Sequence, residues 1–269
     1  MILGGLAGKQ RLDALHCAYQ AATLTLLAAA GVRRGARCLD LGCGGGHATR
    51  ELAQAVGPLG SVTGIDIDAE ILELARRDTR HQHNVEYRVG DANDLPEGAY
   101  DVVYARLLLS HLPGRGEVLA RMAAAAVPGG LVIVEDLDWD GAFCYPPHPA
   151  FDRYWEIHAQ LHERRGGDPR TGPKLPALMR EAGLADVRLS LAHPAHLEGT
   201  GKLVHALTWR NISAAALSEG LTTAGEVLEI GRALAALTED PAVILALPRT
   251  FQVWGRRPAP RVPRQYVAR

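Results

Sequence analysis

Three acids, a run of glycines and one histidine are the residues of this sequence whose types and spacing can do chemistry. Asp40 is followed by Gly42, Gly44 and Gly46 at two-residue steps, with Cys43 and His47 inside the same turn. Glycines at that density let backbone N–H groups approach a ligand where a Cβ would clash. A helical pattern starts at once, with Ala48, Leu52, Ala53 and Val56 on one face. The unpaired N–H donors and positive dipole end of that helix fall at the same place, so an anionic or strongly polar ligand group belongs there. Asp66 ends the next apolar run, Ser61 to Asp66, where a carboxylate can take both hydroxyls of a ribose. Ile67 can lie on one face of the attached base. Asp91, in Gly90-Asp91-Ala92, closes a third run, and Arg106 to Pro113 follows a fourth. His111 in that last stretch titrates near neutral pH and can accept a hydroxyl proton without a metal.

The elements that must position these residues can be read in order. Leu12, Leu15, Ala18, Ala22, Leu26 and Ala29 give a helix over 10–30 that Gly31 ends. Arg37 to Leu41 is a buried strand leading into the glycine turn, and the helix from His47 stops at Gly57-Pro58. Asp68 caps a helix that opens with Ala69, Glu70, Ile71 and Leu72. Strands follow at 84–90 and 100–105, then a helix at 117–127, a turn at Pro128-Gly129-Gly130 and a strand at 131–134. Glu135, Asp136 and Asp138 crowd its exit. They read as structural acids rather than a metal site, because no partner His or acid follows at ligand spacing. Aromatic residues then cluster from Trp139 to Trp155, as in a lid over an apolar substrate or a packed accessory helix. A helix at 175–182, a strand at 185–191, helices at 203–217 and 226–237 and a last strand within 244–254 complete the pattern.

Two glycine-rich patterns compete at the turn. A dinucleotide fold wants G-x-G-x-x-G/A, and counting from Gly42 its third small position is His47, a poor fit. The observed Asp40-x-Gly42-x-Gly44-x-Gly46 instead resembles the first motif of class I S-adenosylmethionine (SAM) dependent methyltransferases. Gly64-Ile65-Asp66 with Asp68 resembles their second motif, and Gly90-Asp91-Ala92 and Pro128-Gly129-Gly130 fit the same family. The resemblance is strong over about 31–135 and holds in outline elsewhere. It implies a Rossmann-like α/β fold: a seven-stranded, mostly parallel sheet with one antiparallel strand, helices on both faces and a helical lid insertion. It implies SAM as cofactor and S-adenosylhomocysteine as product. Tyr19, Asp40, Gly42, Cys43, Gly44, Gly46, Asp66, Ile67, Asp91, Ala92 and Arg106 would be the cofactor residues. Asp91 would take the adenine amino group and the Ala92 N–H a ring nitrogen. Tyr19 and Thr23 of the leading helix would face the methionine end.

The expected organisation is an N-terminal helical cap (1–30), a SAM-binding core (31–138), a lid insertion with its helix (139–182), the remaining core strands with inserted helices (183–256) and a disordered tail (257–269). His111 is the expected general base. Trp139, Tyr154, His158, His205 and Trp209 are the expected substrate residues, around a small or mid-sized, largely apolar metabolite such as a natural-product intermediate. The missing acid after the fourth strand separates this chain from magnesium-dependent catechol-type enzymes, so no metal is expected. A SAM-binding enzyme that transfers no methyl, pericyclase-like, or a regulator stays open beside methyl transfer. An NAD-dependent dehydrogenase is disfavoured by His47 and by the lack of a Tyr-x-x-x-Lys pair.

Composition narrows the classes further. The length of 269 residues suits one large domain or a domain with a lid. The formal charge of −1 creates no field that would draw nucleic acid. Cys17, Cys38, Cys43 and Cys144 form no C-x-x-C pair, which argues for free thiols in a reducing compartment. No run of about 18 apolar residues exists to span a bilayer. The expectation is therefore a cytoplasmic monomer or homodimer whose partner is a small molecule, without nucleic acid or membrane.

Overall fold

The structure is a computed structural model, and it describes residues 5–259. The expected disordered tail at 257–269 lies almost entirely outside the described residues. Seven strands form the main sheet: β1 (Arg37–Leu41), β2 (Ser61–Asp66), β3 (Val85–Val89), β4 (Tyr100–Arg106), β5 (Ala126–Asp138), β7 (Ala185–Ala192) and β10 (Arg249–Arg256). Their order is β3-β2-β1-β4-β5-β10-β7. Pairings from β3 through β5 are parallel, and β10 runs antiparallel to both β5 and β7. This is the seven-stranded, mostly parallel sheet with one antiparallel strand that the motifs implied. A second, small sheet joins β6 (Phe143–Tyr145), β9 (Ile244–Ala246) and β8 (Ala195–His196).

Both faces of the sheet are covered, as parallel strands require. On one face Leu39, Val103, Val132 and Val134 pack against α4 (Arg115–Ala125) and α6 (Leu175–Glu181). On the other, Cys38, Val102, Tyr104 and Ile133 meet α1 (Gly5–Ala30) and α2 (His47–Val56). The alternation of faces along β4 follows from the two-residue period of a strand. α3 (Ala69–Asp78) starts where the sequence places its cap: Asp68 accepts the N–H groups of Glu70 at 2.9 Å and Ile71 at 3.2 Å. Such a cap contributes about 1 kcal/mol.

The third layer is helical. α5 (Pro149–Arg164), α7 (Leu203–Ser218) and α8 (Ala224–Glu239) share a core of Phe151, Tyr154, Ile157, Leu161, Trp209, Ile212 and Leu234. Thr223 caps α8 through the Glu226 N–H at 3.2 Å. Ala14, Leu15 and Tyr19 of α1 pack on Val204 and Leu247, which joins this layer to the sheet.

The turn expected at Pro128-Gly129-Gly130 is instead a bulge within β5. Pairing passes from Tyr100↔Ala126 to Val102↔Leu131, and Gly129, with φ +80°, donates its N–H to the Arg257 carbonyl at 2.8 Å. Pairing of Gly129 and Gly130 with Arg257, just past β10, ties the segment to the sheet, and no local sequence signal carries that. Among the described residues no helix is long and apolar enough to cross a membrane.

Candidate active site

The carboxyl ends of β1, β2, β4 and β5 open into a cavity of about 470 Å³, with α1 and α5 on its other sides. This is where open α/β sheets place ligands. The glycine turn after β1 forms one wall. Gly42 and Cys43 both donate N–H groups to the Ile65 carbonyl, at 2.8 and 3.0 Å, which pins the turn to β2. Gly42 has φ +67°, and a Cβ there would stand 2.7 Å from Leu108 Cδ1. Gly44, φ +50°, donates its N–H to Asp66 Oδ2 at 2.8 Å, while Asp66 Oδ1 accepts the Asp68 N–H at 3.0 Å. Gly46 lines no part of the cavity. Its missing Cβ makes room for the Tyr87 hydroxyl, so its role in the structure is close packing of α2 against β3.

His47, the residue that spoils a dinucleotide fingerprint, has a structural use. Its Nε2 meets Asp13 Oδ1 of α1 at 2.7 Å, and Lys9 reaches Asp13 at 3.2 Å and Asp78 at 2.9 Å. These contacts tie α1 to α2 and α3. Burial is the first cause that pushes the His47 imidazole down to about 4.

Below the turn lies a buried polar network. Thr49 Oγ1 donates to Asp40 Oδ2 at 2.6 Å, and burial pushes the Asp40 carboxyl up to about 7 against the relief from that bond and from Arg106. Burial also raises Glu51 to about 7, again opposed by Arg106. Arg106 ends β4 at the cavity, 3.4 Å from Glu51 Oε2 and 3.2 Å from Thr23 Oγ1. Thr23 then donates to Glu135 Oε1 at 2.9 Å, the Tyr104 hydroxyl donates to the same atom, and Gln252 Nε2 donates to Oε2 at 2.7 Å. Thr23 is thus fully buried in this network. Tyr19 lines the cavity and its hydroxyl donates to the Pro248 carbonyl at 3.0 Å.

The three acids at the exit of β5 point to separate partners. Glu135 serves the network just described. Asp136 accepts the Ser110 N–H and the Leu137 N–H, both at 2.8 Å, and burial raises it to about 6. Asp138 takes Arg249 at 2.6 Å. Among the described residues no group of three or more His, Cys, Asp or Glu is placed to hold a metal ion.

His111 sits in a short 3-10 turn, Leu109–His111, whose backbone is held from three sides. Asp136 takes the Ser110 N–H; the Ser110 carbonyl accepts His162 Nε2 and the Asp168 N–H, each at 2.8 Å. The His111 ring lines the cavity and keeps open surface toward it, with the His162 ring edge-on at 4.8 Å. Surrounding protein, first by desolvation and then through His162, lowers the imidazole from its ordinary 6.5 although the ring itself is exposed, so the near-neutral titration expected from the sequence is displaced downward. At neutral pH its lone pair is free.

Of the expected residues, Tyr19, Asp40, Gly42, Cys43, Gly44, Asp66, Ile67, Arg106, His111, Trp139 and His158 line this one cavity. Asp91 and Ala92 lie beyond its lining. Asp91 is exposed and accepts the Asn93 N–H at 2.7 Å in an Asx turn. Tyr154, His205 and Trp209 are buried in the helical layer behind the cavity wall, where Trp209 Nε1 donates to the Val227 carbonyl at 3.1 Å. Trp139 packs on His158 at 4.2 Å and His162 at 4.7 Å. Arg11, Leu12, Leu15, His16 and His162 also line the cavity and were missed. The signal was present: stepping back from Tyr19 by one and two helical turns reaches Leu15 and Arg11, and one turn beyond His158 is His162.

Residues 38–130 match a family model described as a methyltransferase domain. A demethylmenaquinone methyltransferase of Staphylococcus aureus is 39% identical over 105 residues, which cover 38% of this chain and 44% of that protein. The matched stretch spans less than half the length of the curated relatives. Phosphoethanolamine N-methyltransferase 2 of Haemonchus contortus, solved with phosphomonomethylethanolamine and S-adenosylhomocysteine, superposes with TM-score 0.58 at 16% identity, over 91% of this chain and 56% of that one. The 4+2 cyclase SpnF superposes with TM-score 0.56 at 16% identity, over 89% and 82%. The resemblance carried by the motifs therefore holds over the glycine turn, β1 to β4 and the start of β5. The fold is that of the class I methyltransferases, which a cyclase also adopts, so fold by itself does not name the reaction.

Proposed function

We propose, from the methyltransferase domain at 38–130, that this chain is a SAM-dependent methyltransferase acting on a small or mid-sized, largely apolar acceptor. The observation that carries the reading is one cavity shared by the two halves of such a reaction. Gly42, Gly44, Asp40 and Asp66 stand at one end, and His111, Trp139 and His158 at the other.

The residues present fit the cofactor. Gly42 and Gly44 hold the left-handed backbone that carries the turn along the cavity, and Asp66 ends β2 with both carboxylate oxygens turned to neighbouring N–H groups and lone pairs to spare. Asp66 would hold the ribose hydroxyls, Ile67 a face of the adenine, and Asp91 with Ala92 the adenine edge. Tyr19 and the glycine turn would border the methionine end. The Asp40, Glu51 and Arg106 network would set the charge beneath it. When bound, SAM supplies an intrinsically reactive sulfonium methyl, so the protein's task is to align an acceptor and remove its proton. His111 is neutral near pH 7 and would receive that proton. Asp136 and His162 would fix its position through Ser110. Leu12, Leu15, Leu161 and Trp139 would exclude water around the acceptor.

The test is binding followed by transfer. Calorimetry should give micromolar affinity for SAM or S-adenosylhomocysteine, on the order of −8 kcal/mol. Tritiated-methyl transfer to candidate metabolites should then label a product. Binding of NADH without SAM would sink the reading, and turnover of a substrate without label would replace it with a SAM-supported reaction of another kind.

A further inference from the structure

The cavity has opposite electrical characters at its two ends. Its carboxylates among the described residues are Asp40 in β1, Asp66 at the end of β2 and Asp68 at the start of α3. The wall formed by α1, α5 and Trp139 carries donors and no acid. Arg11 is the cation of that wall without a carboxylate. It donates from Nε to Thr208 Oγ1 at 2.9 Å, and Thr208 passes its own proton to the Val204 carbonyl at 2.7 Å. Among the described residues Arg11 has no carboxylate partner, whereas Arg165 on the same cavity pairs with Glu219 at 2.8 Å. Burial lowers the Arg11 guanidinium from its ordinary value, opposed by the phenols of Tyr154 and Tyr19 and by no carboxylate. Beside it His158 is 3% exposed, and neither of its ring nitrogens has a hydrogen-bond partner. The Trp139 indole N–H, 8% exposed, is also unpartnered.

Burying a charged group without a partner is costly, and so is leaving buried donors unpaired. Here an imidazole and an indole N–H with that deficit share one wall of the cavity with a half-buried guanidinium that has no carboxylate. A single anionic oxygen group would relieve all three, and a guanidinium matches a carboxylate with two parallel bonds. We propose that the acceptor carries a carboxylate, held by Arg11 with His158 and Trp139, while its apolar body lies against Leu12, Leu15 and Leu161. The proposal rests on the methyltransferase reading for the word acceptor. It does not rest on that reading for the anion site.

The experiment uses the full chain saturated with S-adenosylhomocysteine and calorimetric titration at pH 7.5. The probes are decanoate, 3-phenylpropionate and 4-hydroxybenzoate, each beside its methyl ester. At least one acid should bind tenfold or more tighter than its ester. Arg11→Gln should bring that preference below threefold, and Arg11→Lys should keep part of it. S-adenosylhomocysteine affinity within threefold of wild type certifies the fold of each variant. If Arg11→Gln fails to fold, Thr208→Val, which removes the brace of Arg11 together with the Thr208 bond to the Val204 carbonyl, should weaken the preference. No acid preference in the wild type overturns the proposal, as does a preference that survives Arg11→Gln. A tenfold loss of S-adenosylhomocysteine affinity in folded Arg11→Gln or Arg11→Lys also overturns it, because Arg11 would then serve the nucleoside's own carboxylate. A wild type that binds no S-adenosylhomocysteine yet shows an Arg11-dependent acid preference would end the methyltransferase reading and leave the anion site standing.

Discussion

Asp66, at the end of β2, accepts the backbone N–H of Gly44, in the turn after β1, at 2.8 Å. The acid and the turn are therefore one unit. A ligand hydroxyl that reaches Asp66 meets a carboxylate already aimed by two N–H groups, with little rotamer freedom left to lose.

Asp66→Ala should remove both ribose contacts and the anchor of Gly44. The expected loss is about 2–4 kcal/mol for charge-assisted bonds, roughly 30- to 1,000-fold in affinity. Titration calorimetry with S-adenosylhomocysteine reads it directly, and an affinity unchanged within threefold would remove Asp66 from the site.

His111→Ala should leave S-adenosylhomocysteine affinity within about threefold and slow methyl transfer by about a hundredfold, the usual scale of general-base help. Its surroundings hold His111 below its ordinary 6.5, which keeps its lone pair available at neutral pH and makes it a weaker base. The wild-type rate should show no histidine limb over pH 6–8. Turnover of the variant within a few fold of wild type over the same range would take the proton from His111.

Burial pushes the Asp40 carboxyl to about 7, above its ordinary value of 3.8. Between those values the folded chain keeps a proton that the unfolded chain has released, so this residue's contribution falls as pH rises from about 4 to about 7 and stays lost above. Asp40→Asn keeps an acceptor for Thr49 and lacks that loss. Its stability relative to wild type should grow over pH 4–7 by up to about 4 kcal/mol and then level off. Denaturant titrations at a series of pH values measure the gap, and a gap that narrows as pH rises counts against the buried, raised carboxyl.

Tyr154 and Trp209 distinguish a cavity wall from the core behind it. Tyr154→Ala and Trp209→Ala should each cost about 3–5 kcal/mol of stability, the cost of removing a buried aromatic ring. Below their melting transitions the acceptor KM should stay within threefold. Trp139→Ala, at the cavity itself, should raise that KM tenfold or more. A tenfold KM rise in folded Trp209→Ala would place its ring in contact with the acceptor.

The half of the site built on strand ends was legible because strand, turn and helix are adjacent in the chain. Asp40, the glycines, Asp66 and Asp68 state their positions through spacing alone. Gly46 shows the limit of that argument: its pattern is right, but the group needing the space is the Tyr87 hydroxyl rather than a ligand. The half built on the helical layer was less legible for a different reason. α5 and α7 bury residues on more than one side, so periodicity shows that Tyr154, His158, His205 and Trp209 are inside without telling which side meets the cavity. His158 faces it; the other three face α7, α8 and each other. Arg11 and His162 escaped because a charged residue on a helix reads as solvated until another element is seen to cover it.

The antiparallel strand β10 also bears on how the molecule assembles. It fills the gap between β5 and β7, pairing Val253 with Val134 on one side and Leu189 on the other. Strands β1 to β5 can associate from nearby stretches of chain, but they leave β5 as an open rim rich in Val, Ile and Leu. That rim is covered only after the chain has passed through the helical layer of α5, α7 and α8 and returned. Contacts between such distant segments form slowly, and an unpaired apolar strand edge invites pairing with other molecules. A nascent or proteolysed chain that lacks 249–256 would keep the nucleoside half of its cavity in outline and expose a sticky edge. Limited proteolysis or deletion beyond α8 should therefore register first as aggregation, before any measured loss of ligand binding.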